Sequence, residues 1–306
     1  MKHLLVAFCF TYLCILLNAQ LPSVVAGRIE RIDSFPSKFI SARNVDVWLP
    51  EGYTPDKKYA VLYMHDGQML YDTAAGWNKQ SWDVDDVITK LLNEHAIRDV
   101  IVVGVWNGGK TRHPDYFPQK PYEALSQVEQ DTITAQLQRA GRTKDVFKPE
   151  SDNYLKFLVK ELKPFVDRKY STFTNRSNTF IAGSSMGGLI SMYAICEYPK
   201  IFGGAACLST HWPGIFAMDN NPIPQAFLNY MSKNLPNSKK HKIYFDYGDQ
   251  TLDAMYPPLH PAVDSVMKLK GFAVENWVTK FFPGENHSEK AWNKRLDIPM
   301  LFLLKN

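Results

Sequence analysis

The chain has 306 residues, 45% of them hydrophobic, 13% aromatic and 22% charged, with 17 Gly and 19 Pro. This composition excludes a disordered or collagen-like chain and fits a globular one. Thirty-five Lys and Arg against 31 Asp and Glu leave a net charge of +4. With no basic run that stands out, that excess does not describe a surface built to neutralise phosphates, so nucleic acid is set aside as a partner.

Residues 1–19 start with Lys2, continue through an apolar run over 4–17 and end on Asn18-Ala19. That is the pattern of a cleaved secretory signal, and the apolar run is short for a membrane span. The expected mature chain is residues 20–306, secreted or periplasmic, with no stable membrane insertion. Cys9 and Cys14 leave with the signal. Cys196 and Cys207 remain as two buried thiols, since no C-x-x-C pair or Cys/His cluster points to a disulfide framework or a zinc site. No metal or cofactor is expected.

From residue 28 onward, strand-like and helix-like runs alternate. Strands are expected over 29–32 and 39–49 with no helix between them, which reads as an antiparallel start. Further strands are expected over 59–64, 100–106, 180–182, 203–208, 242–247 and 274–281. Helices are expected over 82–92, 154–166, 187–198, 223–233, 259–270 and 288–303. Continuous apolar strands alternating with helices indicate an α/β fold: a mostly parallel central sheet, antiparallel at its N-terminal strands, with helices on both faces. The polar stretch 107–150 interrupts this rhythm. A connection of that length between a strand and a helix reads as a lid or substrate-binding insertion within a single domain.

Gly183-Ser184-Ser185-Met186-Gly187-Gly188 follows a strand and precedes a helix. This is G-x-S-x-G in the setting that gives it meaning. A strand that reverses sharply into a helix needs small residues around a serine held in a strained turn, and the next N–H can face a developing oxyanion. Register selects Ser185 as nucleophile and Met186 as oxyanion donor. A serine hydroxyl needs a base, and the base needs an acid to orient it. On such an elbow the partners follow in the order acid, then histidine. His287 lies on the turn between the last strand and the last helix and is the expected base, whereas His241 and His260 read as solvated or structural. Asp249 and Asp253 both lie in the loop after the strand 242–247, free to turn toward His287, unlike Asp246 within the strand. Upstream, His65-Asp66-Gly67-Gln68 ends another strand. An N–H of Gly67 or Gln68 is the candidate second oxyanion donor, with His65 and Asp66 shaping the turn.

The ordered set Trp48-Leu49-Pro50-Glu51-Gly52-Tyr53, Leu62-Tyr63-Met64-His65-Asp66-Gly67-Gln68, the elbow, Phe245-Asp246-Tyr247-Gly248 with Leu252-Asp253, and Gly284-Glu285-Asn286-His287 resembles the Putative esterase family of α/β-hydrolases. That family includes esterase D-like enzymes, feruloyl and acetyl-xylan esterases and enterobactin esterases. The resemblance implies an α/β-hydrolase fold and a Ser185, His287, Asp253 triad, with Asp249 as the alternative acid.

Strand carboxyl ends line the ligand crevice of open α/β sheets. Trp106, Asn107, His211 and Trp212 are therefore expected to border the serine, with Arg112 either pairing an anionic substrate group or tethering the lid. The expected function is a secreted serine esterase acting on carboxylic esters, with acetyl or feruloyl esters of polysaccharides ahead of siderophore trilactones. The alternatives are acyl transfer on the same acyl-enzyme and a non-catalytic carbohydrate-binding module.

Overall fold

The computed structural model describes residues 21–74, 76, 78–216 and 219–305. The signal-like segment 1–19, with Cys9 and Cys14, lies outside the described residues. Eight strands form one sheet: β1 (Arg28–Phe35), β2 (Arg43–Leu49), β3 (Ala60–His65), β4 (Val100–Val105), β5 (Thr179–Ser184), β6 (Gly204–Leu208), β7 (Lys242–Tyr247) and β8 (Trp277–Phe281), in the order β1-β2-β4-β3-β5-β6-β7-β8. β1 pairs with β2, and β2 with β4, in antiparallel fashion. Every other pairing is parallel. The expected α/β architecture is the one found.

Strands β3, β4, β5 and β6 are buried along their whole length. Side chains alternate faces along a strand, so Val61, Tyr63, Ile101, Val103 and Ile181 enter one core. Their neighbours Leu62, Met64, Val100, Val102, Phe180 and Ala182 enter the other. Helix Met186–Glu197 closes the first layer, and helices Val84–Asn93 and Asp297–Leu304 close the second. Cys196 and Cys207 are buried free thiols. Among the described residues, no helix is long and apolar enough to cross a membrane.

Some boundaries differ from the sequence pattern. The strand expected over 39–49 starts at Arg43, because Phe39 and Ile40 pack against the core without joining the sheet. The strand expected from 274 starts at Trp277, after a turn in which Asn276 accepts the Ala273 N–H and donates its own N–H to the Ala273 carbonyl. The helix expected over 288–303 is two, Glu289–Asn293 and Asp297–Leu304. Pro299 lacks the N–H that a helix interior needs and fits only a first turn, so the break falls just upstream.

The stretch 107–150 is a helical layer rather than an open loop. It contains helices Arg112–Tyr116, Gln119–Glu123 and Gln127–Arg139, the last opened by a reciprocal Ser126/Glu129 cap. Tyr116, Phe117, Tyr122, Ile133, Leu137 and Phe147 from this stretch are buried in the main core. Its polar composition hid an Ile133/Leu137 pair at helical spacing.

Candidate active site

Ser185 sits between β5 and helix Met186–Glu197 with φ 57 and ψ −123, a conformation that non-glycine residues rarely hold. The surroundings enforce it. The Ser185 N–H donates to the Leu208 carbonyl at 3.0 Å, and its carbonyl accepts from Gly188, Leu189 and His211. A Cβ on Gly183 would stand 2.9 Å from the Gly187 backbone, so strand and helix can close on the serine only if position 183 is glycine. Met186 opens the helix, and its N–H therefore has no intrahelical partner. Ser185 is 9% exposed.

Two loops that follow β7 and β8, on the β6 side of β5, carry the acid and the histidine. His287, after β8, brings Nδ1 to 2.5 Å from Asp253 Oδ1. Asp253 belongs to the 3-10 turn Thr251–Met255 after β7 and is fully buried. Its Oδ2 accepts from the Gly248 N–H and the Ser209 hydroxyl, each at 2.7 Å. Burial pushes this carboxyl upward, but the hydrogen bond and charge of His287, with the bonds from Ser209 and Gly248, outweigh it and hold it below the usual aspartate range. Gly248 is required here because a Cβ would lie 2.1 Å from the Glu285 carbonyl oxygen. Asp249 turns elsewhere: its Oδ1 accepts the Gly284 N–H at 2.8 Å and the Gln250 amide at 2.9 Å. It braces the turn that carries His287.

Behind Asp253, the Ser209 oxygen accepts from Trp292 Nε1 at 2.9 Å and Arg295 Nη2 at 3.0 Å. Arg295 is itself paired with buried Asp246 at 3.0 and 3.1 Å. The Trp292 ring stands edge-on to the His287 imidazole at 4.9 Å, and the Tyr256 ring lies 6.0 Å away on another side. Sequence reading gave no role to Tyr256, Ser209, Trp292 or Arg295. Two spacings carried a signal: Tyr256 follows Asp253 by three residues, and Arg295 follows Trp292 by three.

The residues after β3 and β4 bond to one another. Gly67 and Gln68 form the 3-10 turn Gly67–Met69 after Asp66, which itself holds a left-handed φ of 57. Asp66 accepts from Arg112 Nε and Nη2 and from Asn107 Nδ2, all at 2.7 Å. Arg112 and Asn107 thus strap the helical layer to the β3 turn, and the Arg112 charge is already matched. Burial works to raise the Asp66 carboxyl, yet Arg112 and Asn107 hold it low. The Gln68 side chain accepts the Asn107 N–H at 3.2 Å.

Trp106, expected as an aromatic wall near the serine, is turned to the antiparallel edge instead. Its Nε1 donates to Asp46 of β2 at 2.8 Å and Arg31 stacks on its ring. Trp212 is likewise no wall: it is 1% exposed and packs on Phe245 and His260. His211 is buried with Nδ1 3.0 Å from the Tyr256 hydroxyl, and its Nε2 has no partner among the described residues. His65 bonds Tyr154 at 2.8 Å, and burial holds its imidazole down at about 3. Among the described residues, no group of three or more His, Cys, Asp or Glu converges as a metal site.

The model of the Putative esterase family matches residues 37–300. The chain belongs to this family. It is 22% identical over 180 residues to the uncharacterized protein YjcH of Bacillus subtilis (strain 168), an alignment covering 58% of this chain and 59% of that protein, so the chain spans about three fifths of that relative's length. Solved structures that share its fold include two esterases. One is a CE1 ferulic acid esterase from Anaeromyces mucronatus in complex with ferulic acid, at TM-score 0.60 and 20% identity, covering 92% of this chain and 93% of that one. The other is the enterobactin esterase of Shigella flexneri, at TM-score 0.61 and 16% identity, covering 92% of this chain and 60% of that one.

Proposed function

We propose that this chain is a serine esterase that cleaves carboxylic esters through Ser185, His287 and Asp253. The reading rests above all on one arrangement: a serine in a strained turn at a helix N-terminus, with a histidine and a buried aspartate 2.5 Å apart on the loops after β8 and β7. An ionised carboxylate can only accept, so Nδ1 of His287 carries the proton and Nε2 is left as the base. Nε2 takes the Ser185 proton as Oγ attacks the acyl carbon. Asp253 steadies the imidazolium that results. The oxyanion is met by the Met186 N–H and an N–H of the Gly67–Gln68 turn. His287 returns its proton to the departing alcohol, and water then attacks the acyl-enzyme by the same route in reverse.

The substrate class that fits best is the acetyl or feruloyl ester of a polysaccharide, met outside the cytoplasm after removal of residues 1–19. The near-complete mutual coverage with a ferulic acid esterase supports this over the trilactone class, where the matching enzyme is much longer than the region shared.

Wild-type protein and Ser185→Ala, assayed on acetyl, feruloyl and trilactone esters and with a fluorophosphonate probe, test the proposal. Ser185→Ala should lose labelling and at least about a thousandfold in kcat. Folded wild-type protein that neither labels nor turns over any of these esters would sink it. Product partitioning toward an added sugar acceptor would move the reading to acyl transfer.

A further inference from the structure

The 3-10 turn after β7 supplies the site with more than the acid. In a 3-10 turn, residues three apart stack on one side, and the Tyr256 N–H donates to the Asp253 carbonyl at 2.9 Å to close that turn. Asp253 therefore reaches His287, while Tyr256, from the same face, lies 6.0 Å ring to ring from that imidazole and bonds through its hydroxyl to His211, whose backbone N–H donates to the Ser185 carbonyl at 3.2 Å. The Tyr256 ring is fully buried. Burial and the Asp253 charge push its phenol well above the usual tyrosine range, so the group stays protonated. The phenol oxygen lies 3.0 Å from His211 Nδ1. Burial, followed by the charges of His287, His113, Arg112 and Arg142, pushes His211 far below the usual histidine range, so its imidazole is neutral and carries one proton.

We propose that Tyr256 is a further catalytic residue, a hydrogen-bond donor to Ser185 Oγ, held in that role by His211. The inference rests on the serine-esterase reading. With the His211 proton on Nδ1, the phenol oxygen accepts from the imidazole and its own O–H is free to turn to the serine. When His287 removes the Ser185 proton, negative charge grows on Oγ as it closes on the acyl carbon. When the acyl-enzyme breaks down, charge returns to Oγ as the C–O bond breaks and His287 gives the proton back. A neutral donor aimed at Oγ stabilises both moments and exchanges no proton itself. Its direction of approach fits this role. Tyr256 comes from the β7 side of Ser185, whereas the Gly67–Gln68 turn comes from β3 on the opposite flank, so the phenol serves the nucleophile oxygen and leaves the carbonyl oxygen to the backbone N–H groups. His211 is a positioning residue: it fixes the phenol and reaches the serine through it.

Tyr256→Phe keeps the buried ring and removes only the hydroxyl. It should lower kcat and the rate of fluorophosphonate labelling about ten- to a hundredfold, with KM nearly unchanged and the thermal midpoint close to wild type, the range expected for losing one hydrogen bond to a developing charge. His211→Phe should also slow labelling, but the double variant should be no slower than Tyr256→Phe alone, because the two residues act as one unit. Fluorinated tyrosine at position 256 gives a second measurement that leaves packing almost untouched. The acylation rate should track the acidity of the phenol, which a purely structural role would not produce. Wild-type kcat in folded Tyr256→Phe, or an acylation rate indifferent to fluorination, overturns the proposal. Losses that add fully in the double variant overturn the role given to His211. Ser185→Ala run in parallel separates the cases: if it retains activity the esterase reading itself fails, and if it is inactive while Tyr256→Phe is normal only the tyrosine proposal fails.

Discussion

Asp66 and Asp253 make an instructive pair. Each lies just beyond the carboxyl end of a parallel strand, β3 for one and β7 for the other, and each is buried and saturated with hydrogen bonds. Asp66 holds a guanidinium in a two-pronged grip at 2.7 Å, while Asp253 holds an imidazole at 2.5 Å. A guanidinium never gives up its proton, so the Asp66 pair is a fixed strap between the β3 turn and the helical layer. An imidazole has a second nitrogen that can accept and return a proton, so the Asp253 pair is able to take part in chemistry. The two aspartates are distinguished by their partners rather than by their own burial.

The strongest test of the role given to Asp253 is to neutralise the two acids of its loop, Asp253 and Asp249, in turn. Asp253→Asn should lower kcat by roughly 10⁴-fold, because an amide can present its N–H to Nδ1 and stabilise the wrong tautomer. Asp249→Asn should leave kcat within a few-fold, since Asp249 only braces the turn at Gly284. Steady-state kinetics on one aryl ester would check both, and the reverse ranking would reassign the acid.

Next in size is a response to acid. Burial is the first cause that holds the imidazoles of His65, His113 and His260 down at about 3. The unfolded chain protonates these groups near 6.5, so between about 6.5 and 3 the unfolded state binds more protons and stability falls as pH falls. At pH 5 each such histidine should account for about 2 kcal/mol. Asp85, which burial pushes up to about 6, works in the opposite sense and offsets part of this. Thermal unfolding at pH 7.5 and pH 5 should show a markedly lower midpoint in acid. In His260→Phe the drop should be smaller, because that imidazole stacks on Tyr247 at 3.7 Å with neither ring nitrogen hydrogen-bonded among the described residues. An equal drop in both proteins would count against the burial argument.

The smallest expected effect is the loss of the strap. Asp66→Asn should cost about 1–3 kcal/mol by denaturant unfolding, at the lower end if solvent reaches the partly exposed Arg112 side chain. Its kcat should fall far less than that of Asp253→Asn. A loss of activity as large as that variant's would show that the strap takes part in the chemistry after all.

Some of this architecture was legible in local pattern. Alternating apolar runs announced the parallel sheet, and a serine framed by Gly183 and Gly187 announced a sharp turn, because steric limits on strand, turn and helix act over only a few residues. Local pattern misled where the partner is distant. Trp106 and Trp212 looked like pocket walls, yet one is claimed by Asp46 on β2 and the other by Phe245 on β7. The polar composition of 107–150 concealed a packed helical layer, since a handful of buried apolar side chains is enough to anchor a short helix.

Asp249 and Asp253 were equivalent as letters four positions apart in one loop. The 3-10 turn aimed Asp253 inward at His287, while the Gly284 N–H captured Asp249. The same turn carried Tyr256 to His211 and to the edge of His287, and the break before Pro299 left Trp292 and Arg295 behind Ser209. A strained turn is encoded by its immediate neighbours and can be read along the chain. A side chain's partner is chosen by competition among every group that folding brings within hydrogen-bond distance, and that set exists only once the sheet has assembled.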